Sequence, residues 1–171
     1  MPVGRRALSA LVGLLVLAGC GDRVSGVAIT APPPAPWDPC SLTDDILSGA
    51  MLNPMTENST PIIDRHGEKS CGWTGLDVGV IMSTLPTARM AQLRGGDNID
   101  FREVTVAGRS GVTYRDEGDR RGVFCHLAVP FASGGIMLMQ VARSPFGQDQ
   151  TTPMCVWAVR VAEVLVAGMP R

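Results

Sequence analysis

Five cysteines stand at positions 20, 40, 71, 125 and 155, and the first differs in kind from the other four. Cys20 follows a leader: Arg5 and Arg6, an uncharged run from Ala7 to Leu17, then the small residues Ala18 and Gly19. A positive start, a short apolar core and a small-residue exit are the three parts of a secretory signal. The run is too short to span a bilayer comfortably, which takes ~20 apolar residues. An exported domain meets an oxidising compartment, so an even set of cysteines reads as disulfides. Cys40, Cys71, Cys125 and Cys155 admit three pairings. Cys40–Cys71 and Cys125–Cys155 are preferred, because each then staples a helix start to a strand across a loop of about thirty residues. Each would contribute roughly 3–4 kcal/mol in the chain-entropy model. A metal site is disfavoured, since the chain has no C-x-x-C spacing and only His66 and His126.

Leu17-Ala18-Gly19-Cys20 resembles the lipobox of bacterial lipoproteins. The resemblance implies that the Cys20 thiol is acylated and the peptide bond before it is cut. The expected location is then the outer face of the cytoplasmic membrane, on a lipid anchor, since two acyl chains hold a protein stably where one is marginal. Three segments are expected: residues 1–19 as the lipoprotein signal peptide, 20–37 as the acylated cysteine and tether, and 38–171 as one globular domain. Pro32, Pro33, Pro34 and Pro36 favour polyproline II in the tether. At ~3.1 Å per residue it could lift the domain up to roughly 50 Å.

Without Arg5 and Arg6, thirteen basic residues face sixteen acidic ones. That balance excludes nucleic acid as an expected partner, because there is no basic stripe to release counterions. It also argues against electrostatic docking on anionic lipid. Lys69 is the single lysine against fourteen arginines, a bias typical of a GC-rich, actinobacterial genome.

The domain reads as strands bracketed by helices. A helix entry at Cys40 to Asp45 has Ser41 or Thr43 as cap and Asp44 and Asp45 at the positive end of the dipole. Asn53 to Ser70 reads as a long surface loop. Strands are expected at 71–74, 78–85, 101–106, 111–115, 123–131 and 136–143, with a short helix over 86–94. Thr151 or Thr152 caps a last helix with Pro153 in its first turn, on which Cys155, Ala158, Ala162 and Leu165 recur at helical spacing. The expected class is α+β, an antiparallel sheet with the N-terminal and C-terminal helices packed on one face and two disulfides.

The ordered set Asp38-Pro39-Cys40-Ser41-Leu42, Cys71-Gly72-Trp73, Cys125 on a strand and Cys155 opening a terminal helix resembles a known family. It is similar to actinobacterial, especially mycobacterial, lipoproteins grouped as a domain of unknown function. The resemblance implies location, disulfides and fold, and it carries no activity.

No catalytic constellation emerges, and neither an enzyme nor a cofactor is expected. Gly108-Arg109-Ser110-Gly111 lacks the full G-x-S-x-G of a nucleophile turn and reads as a hairpin. His126 reads as a sheet residue sharing a face with Phe124 and Ala128. His66, Asp64 and Glu68 read as a solvated loop in preference to a weak metal site. Asp97 and Asp100, and Asp116, Glu117 and Asp119, read as solvated turns without the ligand spacing of a calcium loop. Met82, Met90, Met137 and Met139 read as core filling in preference to an adaptable pocket. Trp73 and Trp157 are expected beside the disulfides, and Trp37 as an exposed contact. The function expected is a non-enzymatic envelope lipoprotein that binds other envelope proteins. The alternative is a carrier of a lipid or small apolar ligand. A Met- and Val-lined cavity of several hundred Å³ would favour the carrier, and a filled core with an exposed apolar patch the protein-binding module.

Overall fold

A computed structural model describes residues 35–59 and 67–170. The described domain is built on one seven-stranded antiparallel sheet of order β1-β2-β3-β7-β6-β5-β4. Its strands are β1 (Leu52–Asn58), β2 (Lys69–Gly75), β3 (Val78–Leu85), β4 (Asn98–Val106), β5 (Arg109–Asp116), β6 (Phe124–Pro130) and β7 (Ile136–Arg143). Helices α1 (Asp44–Gly49) and α3 (Met154–Leu165) cover one face, and the shorter α2 (Met90–Leu93) lies on the other. The α+β class and the two terminal helices on one face are as expected; α2 on the opposite face was not foreseen.

The period-2 alternation of the central strands decides what each face buries. On β6, Cys125, Leu127 and Val129 turn under α3, and on β7 Met137, Met139 and Val141 do the same. From β2 and β3, Cys71, Trp73, Val80 and Met82 complete the floor. On α3, Met154, Trp157, Ala158, Val161, Ala162 and Leu165 form the matching buried stripe. Met82, Met137 and Met139 have no solvent exposure, so these methionines fill the core as expected. Both disulfides form with the expected partners. Cys40–Cys71 ties the short 3-10 turn before α1 to β2, and Cys125–Cys155 ties β6 to the second residue of α3.

Several boundaries differ from expectation for local reasons. The stretch expected as a loop from Asn53 begins as strand β1, whose Pro54 is tolerated because β1 is an edge. The expected helix over 86–94 contracts to Met90–Leu93. Residues 85–88 make a turn closed by Ala88 N–H to the Leu85 carbonyl (3.3 Å), and Arg89, in extended conformation, is the N-cap residue of α2. Thr43 is the α1 N-cap residue by position, without a side-chain hydrogen bond. At α3 the cap is Pro153, not Thr151 or Thr152. The Asp149 carboxylate instead accepts from the main-chain N–H groups of Thr151 (3.0 Å) and Thr152 (2.9 Å). Those bonds, with the Thr152 side chain foremost, hold its pKa far below the usual carboxylate range.

The strand register defines two poles. At one pole the β4–β5 hairpin and the β6–β7 connection meet, and the described chain enters there. Trp37 packs edge-on against Phe131, ring centroids 6.3 Å apart. At the opposite pole stand the β2–β3 turn, the β5–β6 connection and the start of α3. There Ser144 N–H bonds the Asp77 carbonyl (2.8 Å), and the Asp77 carboxylate accepts from Asp149 N–H (2.8 Å).

Candidate functional site

Above β4 and β5 the sheet and α3 separate. The Ala107 N–H donates to the Glu163 carboxylate (2.8 Å), closing the gap near the C-terminal half of the helix. Toward the far pole the gap widens into a groove of about 600 Å³. Its helix wall carries Met154, Val156, Val159 and Arg160, and its sheet wall Arg102, Val104, Thr113 and Arg115. The Cys155 side of the second disulfide and Phe124 complete the floor. Phe124 and Val156 are 36 % and 42 % exposed, apolar surface left in water along this groove.

The polar groups of the groove are unevenly paired. Arg115 bonds the Asp100 carboxylate (3.2 Å) and the Asp119 carbonyl (2.7 Å). Arg160 lies over the Trp157 ring, 5.5 Å from its centroid. Neither Arg160 nor Arg102 joins an ion pair among the described residues. Asp100 is the one carboxylate of the lining. The groove is therefore apolar along its floor and cationic along its rim.

Asp119, expected in a solvated turn, is buried and organises the β5–β6 connection. Its carboxylate accepts from Val123 N–H (3.1 Å) and Phe124 N–H (2.9 Å), which sets Phe124 at the groove. Asp100 is likewise engaged rather than free in a turn, through its bond to Arg115.

The opposite face of the sheet carries an aromatic row. Phe101 stacks on Tyr114 (5.3 Å between centroids), and Tyr114 stacks on His126 (4.9 Å). His126 Nε2 lies 3.1 Å from Asp116 Oδ2. Burial, with the Asp116 charge second, pushes the Tyr114 phenol up to about 12. The row is packed beneath Met90 and Leu93 of α2. His126 thus serves as a stacked sheet residue, as its alternation with Cys125 and Leu127 implied.

Of the remaining residues singled out in the sequence, Ser110 pairs with Thr105 on an exposed arm after the Ala107-Gly108 turn. Ala107 and Gly108 both have positive φ (47° and 72°), the two-residue geometry that matches the twist of paired strands. Trp73 and Trp157 are buried in the core. Trp37, expected as an exposed contact, is half-buried against Phe131 because the domain packing begins before Asp38. Leu17, Ala18, Gly19, Cys20, Asp64 and His66 lie outside the described residues.

Sequence reasoning did not find the groove. Arg102, Val104, Val156, Val159 and Arg160 belong to two elements far apart in the chain, and only the curl of the sheet under α3 brings them together.

Neither the curated proteins nor the solved structures include a match to this chain. A family model described as "Protein of unknown function (DUF3558)" matches residues 15–167, nearly the whole length. The chain belongs to that family.

Proposed function

We propose that this chain is a non-enzymatic lipoprotein of an actinobacterial cell envelope, held by acylated Cys20 on the outer face of the cytoplasmic membrane. Its described domain acts as a binding module, and the groove between α3 and β4–β5 is its site. One observation carries the reading: the core beneath the helices is filled, while an apolar groove of about 600 Å³ stays open at the pole away from Trp37. Two occupants suit such a module, an envelope protein or a lipid-like ligand. The groove's volume lies within the ~300–1,000 Å³ range of small-ligand sites, which favours the second.

The anchor is tested by Cys20→Ala. The variant is expected to fold, to lose metabolic labelling with palmitate and to leave the membrane fraction; persistent labelling contradicts the lipobox. The site is tested in the anchored chain with a photo-crosslinking residue at Val156 and, as control, at Gln148. Capture by the Val156 probe well above the control is the expected result. Equal, background-level capture at both positions would remove the groove as the site.

A further inference from the structure

Resting on the reading of the groove as a binding site, we propose that its occupant is a long-chain fatty acid. The acyl chain would lie on the apolar floor and the carboxylate would meet Arg102 and Arg160 at the rim.

Three features of the groove point to this chemistry. The first is the exposed carbon. Val156 lines the groove while remaining over a third exposed, and Val104 and Val159 extend the same surface inward. Covering such surface returns ~25 cal/mol per Å², or ~0.8 kcal/mol per buried methylene of a ligand.

The second is charge. Of the three lining arginines, Arg115 is committed to Asp100 and to the Asp119 carbonyl, whereas Arg102 and Arg160 make no ion pair among the described residues. Two such guanidiniums border one apolar floor, in a chain whose formal net charge is −1. That arrangement complements an anion attached to an apolar body, and a guanidinium pairs well with a carboxylate.

The third is the scarcity of neutral polar groups. Thr113 is the one uncharged hydroxyl or amide side chain of the lining. A peptide laid in the groove would bring a main-chain donor and acceptor at nearly every residue. Each left without a partner away from water costs free energy. An acyl chain brings none, so this floor suits it better than a polypeptide.

The second hollow of similar size, about 580 Å³ at the Trp37 pole, lacks this pattern. Its arginine, Arg109, already donates to the Pro130 (2.9 Å) and Pro170 (3.0 Å) carbonyls.

The test uses the whole exported, oxidised chain with Cys20→Ala, so that no anchor acyl group competes. Oleate and oleyl alcohol, both below micelle-forming concentrations, are titrated against it calorimetrically. Oleate is expected to bind with one-to-one stoichiometry and at least about tenfold more tightly than the alcohol, the factor expected from one net charge-assisted hydrogen bond. Arg102→Glu combined with Arg160→Glu should erase that preference, and Val159→Trp should weaken both ligands, with unchanged circular dichroism in each. Absence of oleate binding, or equal binding of acid and alcohol unaffected by the arginine changes, overturns the proposal. If oleate fails while the Val156 probe still captures an envelope protein, the groove remains the site and only its proposed occupant is wrong. If both fail, the binding-module reading falls with it.

Discussion

Tyr114 links an otherwise ordinary sheet position to a measurable pH dependence. The residue is 4 % exposed and its phenol pKa is raised to about 12, because burial and the Asp116 charge both oppose ionisation. In the unfolded chain the same phenol ionises near 10. Above that value the unfolded state loses the proton first, so stability falls as pH rises. The loss should begin near pH 10, approach completion through pH 12, and amount to roughly 2–3 kcal/mol. Denaturant titrations of the wild type and of Tyr114→Phe between pH 8 and 11.5 check this, the variant showing a flatter decline. Gly135 is a second residue whose identity is set by its surroundings. Its φ is 81°, and an added Cβ would lie 2.8 Å from the Leu85 carbonyl oxygen and from Pro86 Cα. Gly135→Ala therefore combines left-handed strain with a main-chain clash, and a stability loss of about 1–3 kcal/mol is expected by thermal melting.

At the scale of elements, the second disulfide is the device that fixes one wall of the groove. Cys125–Cys155 joins β6 to the start of α3 across 30 residues of sequence. Replacing both cysteines by serine should cost about 3–4 kcal/mol of stability in the chain-entropy model. Because Cys155 lines the groove, the same change should raise amide exchange over residues 153–159 more than over β3. Hydrogen exchange by mass spectrometry reads both. This wall was largely legible in the sequence: the spacing of Cys155, Ala158, Ala162 and Leu165 placed the helix, and the cysteine arithmetic placed its tie to β6. The opposite wall was not. Arg102 and Val104 sit in an edge strand with a bulge between Ile99 and Arg102, and Asp100 has a positive φ of 57°, so simple alternation misreads which face each residue takes. Strand β1 was hidden for a related reason. Asn53, Pro54 and Glu57 are poor strand formers, and Leu52 is the one residue of β1 that is fully buried, so pairing with β2 supplies what propensity does not.

On the scale of the molecule, the point where the described chain begins, beside Trp37, and the groove occupy opposite poles of the domain. The described chain enters beside Phe131, while the groove opens past Phe124 and Pro153, where the β5–β6 connection and the loop before α3 come together. The core under α1 and α3 buries Met82, Met137 and Met139 completely, and open apolar surface lies in the groove. Native mass spectrometry of the exported Cys20→Ala chain, kept oxidised and purified from an actinobacterial host, tests this account most directly. The expected species is a chain four hydrogens lighter than its reduced form, carrying one fatty acid that is lost on activation and is missing from the Arg102→Glu, Arg160→Glu variant. The same oxidised mass with nothing bound in either protein, or an adduct that persists unchanged in the variant, would contradict it.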